Sequence, residues 1–68
     1  MTLTAVLMPA EEGGFIALNP ETGTTTQGES VAEAIDNLRE ATELYMEEFP
    51  LPKTGQSLLT TFEIATGA

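Results

Sequence analysis

Catalysis near neutral pH calls for a group that gives and takes protons there, and this chain has neither histidine nor cysteine. Its reactive side chains are carboxylates. Eleven acidic residues stand against two basic ones, Arg39 and Lys53, for a formal net charge of −9. Clustered carboxylates can hold two metal ions for phosphodiester hydrolysis. Asp36 is the one aspartate, however, and its place in the sequence puts it on the outer face of a helix. Glu11-Glu12 precedes Gly13-Gly14 and reads as solvated turn residues. The glycines at 13, 14, 23, 28 and 55 follow no phosphate-cradling spacing and read as turn formers. The sequence therefore predicts a protein that is not an enzyme, with no catalytic residues, no cofactor and no metal site.

What carboxylates at these positions can do is bind. Asp36, Glu40, Glu43, Glu47 and Glu48 crowd the solvent side of one helix, with Arg39 the only basic residue nearby. Glutamates in the last turn oppose the helix dipole, at roughly a few tenths of a kcal/mol each. This side reads either as the solvated face of an acidic protein or as a docking ridge for a basic partner. A second candidate surface is Leu59, Thr61 and Glu63 on one face of a late strand, where strand addition needs only backbone groups. The same charge excludes direct nucleic-acid binding, which relies on Lys and Arg neutralising phosphates. It also disfavours anionic membranes. No apolar run approaches the ~20 residues that span a bilayer, and Met1-Thr2-Leu3-Thr4-Ala5 lacks the basic head of a signal peptide. A cytoplasmic protein is expected.

The elements that must hold these residues read clearly. Residues 3–8 form an apolar strand that Pro9 ends, and Glu11-Glu12-Gly13-Gly14 makes the turn. Phe15-Ile16-Ala17-Leu18 is a second strand, stopped by Asn19-Pro20. The threonine-rich stretch 22–28 suits a polar edge strand. Ser30 and Glu33 make a capping box. From there Val31, Ala34, Ile35, Leu38, Ala41, Thr42, Tyr45 and Phe49 recur at helical spacing up to Pro50, with Tyr45 and Phe49 expected in the core. Phe15 is expected to pack against this helix. Residues 51–56 read as a linker, and 58–65 as a last strand with Phe62 and Ile64 on one face.

At 68 residues the chain makes one domain, 1–68, of the α+β class with order β-β-β-α-β. Short turns pair the first three strands in sequence. A right-handed crossover brings the fourth alongside the first in parallel. The predicted sheet is mixed, of order 3-2-1-4, with the apolar first strand central and a single helix on one face. The other face is left uncovered, with Ile16 or Leu59 on it. A chain this small, without disulfides, gains burial by self-association, so a homo-oligomer is expected.

Three stretches together are similar to a known family. Gly13-Gly14-Phe15-Ile16-Ala17-Leu18-Asn19-Pro20-Glu21, Thr26-Gln27-Gly28-Glu29-Ser30-Val31-Ala32-Glu33-Ala34 and Asn37-Leu38-Arg39-Glu40-Ala41 resemble the HicB antitoxin family. The shared pattern is glycine plus aromatic, then Pro-Asp/Glu after the second strand, then a Gly-Asp/Glu-Ser/Thr-x-x-Glu-Ala helix start. The resemblance covers roughly residues 3 to 49. It implies a partial RNase H-like fold and the binding and neutralisation of a HicA-type toxin, a small basic mRNA-cleaving protein. The DNA-binding segment that usually follows in the family has no counterpart within 1–68, which leaves a stand-alone oligomeric domain without a toxin, structural or ligand-sensing, as the other reading.

Overall fold

Local turn chemistry builds the sheet. The computed structural model describes residues 1–51 and 55–67. Strands β1 (Val6–Pro9), β2 (Phe15–Asn19) and β3 (Thr24–Gly28) precede one helix, α1 (Val31–Glu48). Between β1 and β2 the Ala10 N–H donates to the Gly14 carbonyl (3.0 Å), and Gly13 N–H donates back to Ala10 (3.1 Å). Gly13 and Gly14 take φ of 102° and 77°, a left-handed region that side chains disfavour. The β2–β3 turn closes on a 2.8 Å bond from Gly23 N–H to the Asn19 carbonyl.

Both strand pairs are antiparallel, with Leu7 opposite Ala17 and Ala17 opposite Thr26. Because side chains alternate along a strand, Leu7, Phe15, Ala17, Asn19, Thr24 and Thr26 share the face beneath α1. Val6, Met8, Ile16 and Leu18 share the opposite face with Thr25 and Gln27. No element of the described residues covers that second face.

The helix starts where the sequence says it should. Glu33 N–H donates to Ser30 Oγ (3.1 Å), while the Glu33 carboxylate accepts from Glu29 N–H at 3.4 Å, one residue earlier than a standard capping box. Its position over the sheet follows from Gly28. A Cβ there would stand 2.5 Å from the Ala34 backbone nitrogen, so the helix and β3 touch backbone to backbone. Thr26 Oγ1 donates to the Ala34 carbonyl (3.0 Å) and Asn37 Nδ2 to the Gln27 carbonyl (2.8 Å). These bonds hold α1 over β2 and β3 and away from β1. The core between them is small: Ala17, Ala34 and Leu38, flanked by Leu7 and Phe15.

Three expectations are corrected. Residues 55–67 form no strand, and β1 pairs with β2 alone, so the sheet is three-stranded, antiparallel and ordered β1-β2-β3 rather than 3-2-1-4. Strand β1 is thus an edge of the described sheet, not its centre. Apolar content misplaced it, because the apolar side chains of β1 are divided between two faces rather than buried on both. The aromatic pair is also displaced. Tyr45 and Phe49 are 38% and 54% exposed and stack on each other, centroids 5.0 Å apart, because α1 extends beyond the sheet that would cover its last turn. The α+β class, β3 at an edge, the helix boundaries and the packing of Phe15 are as expected. Part of the expected linker 51–56 lies outside the described residues.

Residues 58–67, all exposed and outside every helix and strand, form an arm. The radius of gyration is 14.1 Å, against about 11 Å for a compact chain of this length.

Candidate functional site

Asp36, Glu40, Glu43 and Glu47 sit at positions i, i+4, i+7 and i+11 of α1. At 100° per residue they fall within about a 60° arc, opposite the buried Ala34, Leu38 and Thr42. All four are exposed. Glu48 is also exposed, but lies to one side of this line. Arg39 bridges Asp36 at 3.1 Å with both side chains largely in solvent, so the pair adds little stability and trims the ridge's charge by one. The structure brings these four carboxylates into one ridge, as the spacing predicts.

The other three predicted residues do not join them. Leu59, Thr61 and Glu63 are exposed on the arm, unpaired with any strand. Alternation along 58–64 still separates Leu58, Phe62 and Ile64 from Leu59, Thr61 and Glu63, and Leu58, Phe62 and Ile64 are 97%, 84% and 73% exposed. Such a run of exposed apolar side chains is uncommon on the surface of a soluble monomer.

Sequence reasoning missed two features that border the ridge. One is a groove of about 600 Å³ between α1 and the segment leading into β1, lined by Leu3, Ala5, Ile35, Leu38, Thr42 and Met46, with Glu43 and Glu47 at its lip. It exists because α1 is held over β2 and β3, leaving the β1 side open. Thr42 in its wall is 5% exposed, and its hydroxyl has no hydrogen-bond partner among the described residues.

The second missed feature is a polar staple at the root of the arm. Glu21 Oε1 accepts from Thr4 N–H and Asn19 Nδ2, both at 2.8 Å. Glu21 Oε2 accepts from Thr4 Oγ1 (2.9 Å) and from Ser57 N–H (2.8 Å). Asn19, 1% exposed, also donates to the Thr4 carbonyl (2.8 Å) and accepts from Thr22 N–H (2.9 Å) and Thr22 Oγ1 (2.7 Å). Donation by Thr4 N–H, reinforced by Ser57 N–H and the Thr4 hydroxyl, outweighs desolvation and lowers the Glu21 pKa to about 2. The staple joins residues 4, 19–22 and 57, which are far apart in sequence. The Asn-Pro-Glu-Thr-Gly turn was its only local signal.

Among the described residues, no three His, Cys, Asp or Glu side chains gather as a metal site. No helix of the described residues is long and apolar enough to cross a membrane.

The chain is similar to the UPF0150 protein ssl0738 of Synechocystis, 43% identical over 47 residues. The matched stretch is 68% of this chain and 65% of that relative's length. No family model matches the chain. No solved structure matches it either.

Proposed function

We propose that this chain is a HicB-like protein-binding domain, an antitoxin that neutralises a small basic HicA-type mRNA-cleaving toxin by direct contact. The acidic ridge of α1 carries the reading. Four carboxylates in one line, with a single guanidinium among them, make a surface that attracts a basic protein and repels nucleic acid. The residue pattern at 13–21, 26–34 and 37–41 and the similarity to a UPF0150 protein support the family. In this reading the protein works in the cytoplasm as a homo-oligomer, binds no cofactor, membrane or nucleic acid directly, and catalyses nothing itself.

A stand-alone oligomeric domain without a toxin is the second reading, favoured by the exposed apolar arm. Co-expression with a HicA-type toxin separates the two. The antitoxin reading expects growth to be restored by the wild type, and lost again when Asp36, Glu40, Glu43 and Glu47 are all changed to Lys. Absence of rescue by the folded wild type rejects it. Rescue that survives the fourfold reversal moves the interface off the ridge.

A further inference from the structure

The fold leaves a strand without an edge and an edge without a strand. Residues 58–65 alternate in type as a strand should but pair with no strand among the described residues, where β1 in turn pairs on one side only. A strand added beside β1 would turn one face toward the groove under α1 and the other toward the uncovered side of the sheet. The groove's apolar lining is Leu3, Ile35, Leu38 and Met46, with Arg39, Glu43 and Glu47 at its lip. The arm's matching face is Leu58, Phe62 and Ile64, and its other face is the mixed set Leu59, Thr61 and Glu63. The patterns are complementary.

The arm does not fill its own groove. Ser57 N–H is held by Glu21, and both the N–H and the carbonyl of Thr4 are taken by side chains of the β2–β3 turn. A ladder between Thr4 and Ser57 therefore cannot start there, and beyond Ser57 the arm leaves the body. The accessible surface is 5524 Å², about 1,400 Å² more than a compact monomer of this mass exposes. Stable dimers bury about 800 Å² per partner, so the excess is ample for one.

We infer that residues 58–65 of a second copy of this chain occupy the groove and the free edge of β1, reciprocally, in a two-fold arm-exchanged dimer. The surface that can cover the arm is the one every copy presents. Backbone groups of the incoming strand complete β1, and the groove it enters holds the unpartnered Thr42 hydroxyl. Glu63 is the only charge in the exchanged stretch, and with Arg39, Glu43 and Glu47 at the groove's lip the contact keeps the acidic sign of the two bodies it joins. The inference deepens the self-association in the proposed function and is independent of the toxin. Salt separates the two interactions: screening two bodies of charge −9 strengthens the dimer, whereas it weakens an acidic ridge holding a basic toxin.

Light scattering across micromolar concentrations, at low and moderate salt, tests the inference. The expected mass is twice 7.2 kDa, with tighter association at higher salt. Phe62→Asp and Ile64→Asp, at positions exposed in the single chain, should give monomers with unchanged helix content. A wild type that stays monomeric, or a dimer that survives both substitutions, overturns the inference. A spin label on Thr66→Cys distinguishes exchange from closure within one chain. Mixed with isotope-labelled untagged copies, it should broaden the signals of residues 6–9 in those copies. Broadening confined to the tagged chain itself overturns the inference too.

Discussion

The body of the molecule, through α1, and the arm beyond Gln56 carry similar apolar content yet have opposite fates. In the body, Phe15 and Ala17 are covered because each strand finds its partner a few residues away across a tight turn. In the arm, Phe62 and Ile64 remain in solvent because no strand of the described residues pairs with them, although the staple already brings Ser57 beside Thr4. Alternation encodes the readiness to pair; it does not supply the edge to pair with. The staple at Glu21 marks the border between these regimes: side chains hold Ser57 there, and the regular ladder does not continue.

Truncation on either side of that border should give very different results. Leu38→Ala removes the largest member of a three-residue core and should destabilise by about 2–5 kcal/mol. That is enough to unfold much of a domain this small, as circular dichroism during urea titration would show. Leu58→Ala, measured at concentrations where the chain is monomeric, should shift the midpoint by less than about 0.5 kcal/mol. A large Leu58 effect under those conditions would mean the arm is packed within the chain.

The border itself should break next. Asn19→Ala removes the bonds to the part-buried Thr4 carbonyl and Thr22 N–H, each worth about 0.5–1.5 kcal/mol. It should also raise amide exchange at Ser57. Glu21 allows a finer dissection by pH. Its pKa is lowered in the folded chain from 4.5 to about 2, so its contribution is complete above the unfolded value and disappears as pH falls through about 2. Urea midpoints for wild type and Glu21→Gln should differ most above pH 5 and converge toward pH 2. A constant gap would remove the carboxylate's charge from the account. The smallest effect belongs to the ridge. Arg39→Ala breaks an exposed bridge and should change stability by no more than about 0.5 kcal/mol.

The legible parts of the fold were those written in neighbouring residues. Gly13-Gly14, Asn19-Pro20 and Ser30 with Glu33 set two turns and a helix start through local hydrogen bonds, and the acidic ridge follows from one periodicity. The sheet order was not legible. It depended on whether residues 58–65 find β1, and apolar content made Val6, Leu7 and Met8 look doubly buried when they divide between two faces. The groove was hidden for a related reason. Its opening depends on where α1 crosses the sheet, set by the backbone contact at Gly28, which no hydrophobic pattern reports. Glu21 showed only as part of a turn, since the groups it binds come from both ends of the described chain.

The central claim is that this protein acts by binding a basic protein through the ridge of α1. A calorimetric titration of the purified chain with a HicA-type toxin, at low and moderate salt, tests it most directly. The account predicts a complex that weakens as salt rises, and that weakens by about tenfold or more when Asp36, Glu40, Glu43 and Glu47 are reversed to Lys. No binding by the folded wild type, or binding indifferent to both salt and the ridge, would contradict it.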